Sequence, residues 1–158
     1  MQPGDKTTTH PNDILVIGYG NTLRGDDGLG PRLAEALSLM DLPGVRTVIC
    51  QLLTPELADP VARARVAVFV DASVDAPREI QLRPLEPNES SQIMAHAADP
   101  RTMLALARDV FGHAPQAWWL TIPATKLDFH YGFSPEAQRG FVEALEKLLT
   151  LCQSLQKC

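Results

Sequence analysis

The chain has no run of apolar residues long enough to cross a bilayer, and its opening MQPGDKTTTHPND carries neither the basic nor the apolar region of a secretory signal. Neither a membrane protein nor an exported one is expected. Basic charge is also in short supply: 14 Lys and Arg stand against 19 Asp and Glu, a net charge of −5. A nucleic-acid binder needs a basic face to neutralise phosphates, so this balance argues against one. Cysteine is sparse and has no paired pattern. Cys50, Cys152 and Cys158 are odd in number and form no C-x-x-C, which points away from a zinc knuckle or a disulfide framework and fits a reducing, cytoplasmic compartment.

What is present is the make-up of a soluble globular protein. The 158 residues are 45% hydrophobic and 21% charged, enough for one domain with a substantial core. Residues 1–12 are polar, carry two prolines and read as a loose tail; 13–152 form the single domain, and 153–158 a C-terminal tail. No internal repeat or linker divides the domain.

DILVIGY (13–19) is a continuous β-branched and aliphatic run, the pattern of a strand buried on both faces. A glycine-rich loop follows, and Pro31 then stands where a first helical residue would, with Leu33, Leu37 and Met40 recurring at helical spacing. VRTVICQLL (45–53) reads as a second strand and RVAVFVDA (65–72) as a third, apolar until it reaches Asp71. Between them TPELADPVARA (54–64) is limited by Pro60 to a short or broken helix. EIQLRPL (79–85) alternates like an edge strand stopped by Pro84, and 86–98 has no clean period. DPRTMLALARDVFG (99–112) has an N-cap aspartate and a closing glycine, with Met103, Leu106, Val110 and Phe111 as its buried stripe. QAWWLTI (116–122) is a further strand, in which at least one of Trp118 and Trp119 belongs to the core, and SPEAQRGFVEALEKLLTLC (134–152) is a terminal helix. Strands alternating with helices predict an α/β protein: a three-layer α/β/α sandwich with a mainly parallel sheet, whose ligands sit beyond the carboxyl ends of the strands.

The loop VIGYGNTLRGDDGLGP (16–31) poses the functional question. Glycine loops between strand and helix usually cradle phosphate. Here Leu23 replaces the third glycine of a dinucleotide fingerprint, and Asp26 and Asp27 stand where a phosphate loop has its Lys and hydroxyl. A carboxylate would repel phosphate, so the loop is built for something cationic. The plain reading is that Asp26 and Asp27 cap turns. Yet Asp71, at the end of the third strand, is expected at the same edge of the sheet, and two converging carboxylates call for a cation or a shared proton. An imidazole would complete a metal site with open positions; His96 and His130 are the candidates, whereas His10 lies in the tail and His113 follows a helix-ending glycine.

GYGNTLRGDDGLGP resembles the Gly-x-Gly-Asn-x-Leu-x-x-Asp-(Asp/Glu)-(Gly/Ala)-x-Gly signature of the nickel–iron hydrogenase maturation endopeptidases. The match continues in register from Asp13 to Leu149, through VFVDAS, the histidine loop before a helix, and TIPATKLDFHYGFSPEA. The resemblance implies a phosphorylase- or hydrolase-like sandwich in which Asp27, Asp71 and His96 bind nickel, with cadmium or zinc as substitutes. It implies that Gly18, Gly20, Asn21 and Gly28 shape the substrate loop. Asp27 is the first catalytic candidate, and Asp26 shapes the loop with a general-base role as its second reading. The implied partner is a hydrogenase large-subunit precursor, whose C-terminal extension is removed once nickel is in place; the implied state is a monomer. A noncatalytic, metal-dependent checkpoint protein for the immature subunit needs the same ligands. A small-molecule hydrolase or phosphorylase shares the scaffold, but the acidic loop counts against a phosphate substrate.

Overall fold

A computed structural model describes residues 13–75, 78–89, 99–128 and 132–156. Its elements follow in the order β1 (Ile14–Tyr19), α1 (Leu29–Leu39), β2 (Val45–Cys50), α2 (Ala58–Arg63), β3 (Val66–Ser73), β4 (Gln81–Leu85), α3 (Pro100–Phe111), β5 (Gln116–Pro123) and α4 (Pro135–Gln156). They form one five-stranded sheet in the order β2-β1-β3-β5-β4, parallel except for β4, which pairs antiparallel with β5 at the edge. The predicted three-layer sandwich is present.

The all-apolar strands are what a sheet covered on both sides requires. Side chains alternate across the sheet, so Ile14, Val16, Val66, Val68 and Val70 meet α1 and α4, while Leu15, Ile17, Ala67 and Phe69 meet α2 and α3. Leu33 and Leu37 of α1 and Leu148 and Cys152 of α4 close the first core; Val61 of α2 and Met103 and Leu104 of α3 close the second. Phe69 is fully buried, a contribution of about 1.5–3 kcal/mol from one side chain. Helix α1 lies so close to the sheet that a Cβ on Gly18 would fall 2.1 Å from the Gly30 carbonyl oxygen. Only glycine permits that approach.

Several local expectations change. The helical path begins before Pro31, as a 3-10 turn over Gly25–Gly28 that runs into α1, and Met40 is 42% exposed beyond the end of α1. The second strand ends at Cys50. Pro84 does not stop β4: it sits within the strand opposite Trp118, which an edge strand tolerates because one side of its backbone needs no partner. Asp99 caps α3 by accepting from the Arg101 N–H at 2.9 Å, and Gly112 ends it in the left-handed region, as expected. Its buried stripe is shifted, however: Val110 and Phe111 are exposed, and Leu104 and Ala107 are buried instead. Helix α4 runs past Cys152 to Gln156 and buries Leu155, so residues 153–156 are helix rather than tail. Trp118 packs against the α1 and α4 core and Trp119 against the α2 and α3 core. Among the described residues no helix is long and apolar enough to cross a membrane.

A candidate active site between two strand ends

The chain passes from β1 outward to β2 and then returns to place β3 on the other side of β1. The connections leaving β1 and β3 therefore diverge, and the crevice beyond their carboxyl ends is where α/β sheets bind ligands. The glycine loop leaves β1 at this point, and Asp71 lies near the end of β3.

Asp27 sits in the 3-10 turn, and its Oδ2 accepts the backbone N–H of Asn21 at 2.7 Å. Asn21 in turn accepts the Leu23 N–H through its Oδ1 at 2.9 Å. The turn is tightened by Arg24 N–H to the Asn21 carbonyl at 3.0 Å and by Asp27 N–H to that of Arg24 at 3.1 Å. Gly20, at φ 143°, would put a Cβ 2.1 Å from the Asp27 carbonyl oxygen; an alanine there would displace Asp27 itself. Gly28 closes the turn against Thr22 and leads into α1. The four loop residues singled out from the motif thus surround Asp27 or seat the strand that leads to it.

Asp26 points elsewhere. It is fully buried, and its carboxylate accepts the backbone N–H groups of Thr125 at 2.8 Å, Lys126 at 3.0 Å and Ser134 at 2.9 Å. The hydroxyls of Thr125 and Ser134 lie 3.0 and 2.8 Å from its Oδ2, and its own N–H donates to the Lys126 carbonyl at 2.7 Å. Burial pushes the pKa up, but the N–H groups of Ser134, Thr125 and Lys126 outweigh it and hold the acid at about 2. Arg24 Nε donates to the Leu127 carbonyl at 3.0 Å, a second tie between the loop and the segment after β5.

Asp71 has the opposite surroundings. Burial raises its pKa, the Tyr19 hydroxyl lowers it by donating to Oδ2 at 3.1 Å, and the nearby charge of Asp27 raises it again, to about 7. The charge of Asp27 thus bears on Asp71, and no basic side chain of the described residues pairs with either. Beside Asp71 opens a cavity of about 410 Å³, lined among others by Ser73, Asp75, Glu79, Arg83 and Trp119. The Arg83 guanidinium lies 5.8 Å from the centre of the Trp119 ring.

His96, His130, His10 and Cys158 lie outside the described residues. His113 is exposed and precedes β5, at the opposite end of that strand from the crevice, so it plays no part here. Among the described residues no group of three or more His, Cys, Asp or Glu is arranged to hold a metal. Cys50 ends β2 half-buried, and Cys152 is buried in the core, its thiol pushed up to about 11 by burial; neither is an activated nucleophile. Sequence reasoning missed Tyr19, Thr125 and Ser134. Ser134 was visible only as a helix-start signal, and nothing local marks the other two.

No family model and no curated protein sequence matches the chain. Solved structures do. The hydrogenase maturating endopeptidase HybD from Escherichia coli is similar at 24% identity and a TM-score of 0.69, covering 90% of this chain and 93% of that one. An endopeptidase from Escherichia coli aligns with 25% identity and a TM-score of 0.70 over 87% and 90% of the two chains. The [NiFe] hydrogenase maturation protease HybD from Thermococcus kodakarensis aligns with 21% identity and a TM-score of 0.66 over 89% and 99%. The chain has the fold of these hydrogenase maturation endopeptidases.

Proposed function

We propose that the chain is a hydrogenase maturation endopeptidase that removes the C-terminal extension of a nickel–iron large-subunit precursor after nickel insertion. The observation that carries this reading is the carboxylate pair at the divergence of β1 and β3, held close enough that Asp27 raises Asp71, with no basic partner among the described residues. Like charges in a half-buried crevice are relieved by a proton or by a divalent cation. Two carboxylates, open to an added imidazole, are a donor set that nickel accepts and for which cadmium or zinc substitutes.

In this reading Asp27, Asp71 and His96 complete the coordination of nickel already held by the precursor. Bound there, nickel would supply the positive charge that positions the scissile peptide. The chain's own residues do the rest. Asn21 holds one oxygen of Asp27, the glycines keep the loop against the sheet, and a carboxylate takes the proton of the attacking water. Asp26 serves as the loop's anchor, because both its oxygens are already occupied and an acid held at about 2 is a poor base. A cytoplasmic, monomeric enzyme is the form in which it would meet a precursor before assembly.

The test is mass spectrometry of a large-subunit precursor incubated with this protein, with and without nickel loading. Loss of a C-terminal peptide from the nickel-loaded form alone is the expected result. Binding without a mass change would replace the peptidase with a checkpoint protein, and neither binding nor cleavage of several candidate precursors would reject the reading.

A further inference from the structure

Tyr19 occupies the variable place between Gly18 and Gly20, at the end of a strand buried on both faces. Packing alone asks for an apolar side chain there. Leu15 and Ile17, on the same face of β1, supply one each; Tyr19 adds a hydroxyl. Strand β1 runs parallel to β3 with Gly18 opposite Val70, so the next residue of each strand, Tyr19 and Asp71, stands on the face covered by α2 and α3. The phenol is 7% exposed, and its hydroxyl donates to Asp71 Oδ2 at 3.1 Å. The buried indole nitrogen of Trp119 has no hydrogen-bond partner among the described residues and is a donor only, so it does not compete for the hydroxyl proton, which goes to Asp71.

A buried hydroxyl is retained where it has a partner that needs it. Asp71 needs one. Its neighbour Asp27 is fixed by a backbone N–H from across the loop, whereas the backbone pull on Asp71 comes from the next residue, Ala72, and the donor that reaches it from another strand is the Tyr19 hydroxyl. We infer that Tyr19 is a positioning residue for Asp71, tying one carboxylate oxygen to the sheet so that the other is presented to a divalent cation in a single orientation. This rests on the reading of Asp27 and Asp71 as the cation-binding pair. Partners that orient a metal ligand typically change metal affinity by about 10–100-fold when removed, and Tyr19 is placed to act in this way.

Calorimetric titration of the full chain with Cd²⁺ tests it, comparing wild type, Tyr19→Phe and Asp71→Asn. Phenylalanine keeps the ring and its packing and removes only the donor. The expected result is that Tyr19→Phe binds Cd²⁺ about 10–100-fold more weakly than wild type with an unchanged circular dichroism spectrum. Wild-type affinity in Tyr19→Phe, with affinity lost in Asp71→Asn, would overturn the positioning role while leaving the cation pair intact. Equal binding by wild type and Asp71→Asn, or none by wild type, would instead overturn the pair itself and the inference with it.

Discussion

Asp26 and Asp71 are both withdrawn from water at the same edge of one sheet, yet Asp26 is held at about 2 and Asp71 at about 7. Burial pushes both upward. What separates them is the supply of donors. Around Asp26 the segment after β5 and the start of α4 converge three backbone N–H groups, which stabilise the charge and leave it nothing further to bind. Around Asp71 the chain provides the Tyr19 hydroxyl and the adjacent Ala72 N–H, and then sets a second carboxylate nearby. A buried acid becomes part of the framework where donors are plentiful, and keeps its proton to a higher pH where they are few.

Substitution should divide the two most sharply. Asp71→Ala or Asp27→Ala is expected to lower precursor processing on the order of 100-fold or more while leaving the fold intact, read by mass spectrometry and urea unfolding. Asp26→Ala should do the reverse in the first instance: it leaves three N–H groups and the Ser134 hydroxyl without their acceptor and should cost about 3 kcal/mol or more of unfolding free energy. If Asp26→Ala were as stable as wild type, the contrast would collapse.

A pH profile gives the next largest effect. Because the folded state holds Asp71 at about 7 and an unfolded aspartate titrates near 3.8, the folded protein binds the proton more tightly. The stability this contributes is present below pH ~4 and is lost as pH rises toward ~7, on the order of 1.4 kcal/mol for each pH unit crossed inside that window. Asp26 is displaced in the other direction, so its contribution is present above pH ~4 and lost as pH falls toward ~2. Urea titrations of the metal-free protein between pH ~4 and ~8 should show the Asp71 decline, and Asp71→Asn should flatten it. Smallest is Ser134→Ala, which removes the one hydroxyl that both donates to Asp26 and accepts the Ala137 N–H; a loss of about 1–2 kcal/mol is expected, with processing unchanged.

Much of this was legible in the sequence because it is local. The apolar runs specify strands covered on both sides, Asp99 and Gly112 bound α3, and GYGN with two aspartates marks a loop unsuited to phosphate. Asp27 and Asp71 could be paired because each follows or ends a strand of a parallel sheet. The failures arise where the outcome depends on a distant partner. Val110 and Phe111 continue the helical period of α3 but lie on its last turn, with the buried residues confined to Pro100–Ala107, and a period does not encode how far the neighbouring layer extends. The Tyr19 hydroxyl meets Asp71 through the register of β1 on β3, and Asp26 meets Ser134 across 108 residues of chain. No window of sequence contains either pair.

The anchoring of Asp26 also sets a timetable. The loop that carries Asp27 is secured by groups 99 to 108 residues further along the chain, so loop closure of that length must precede its final shape. Contacts this remote form late and slow the search for the native state. The carboxylate crevice should therefore be among the last parts to mature as the chain folds, competent only after β5 and α4 have docked. A chain halted before Ser134 would hold β1, its glycines, Asp27 and Asp71, and still lack a donor that fixes Asp26 and its loop.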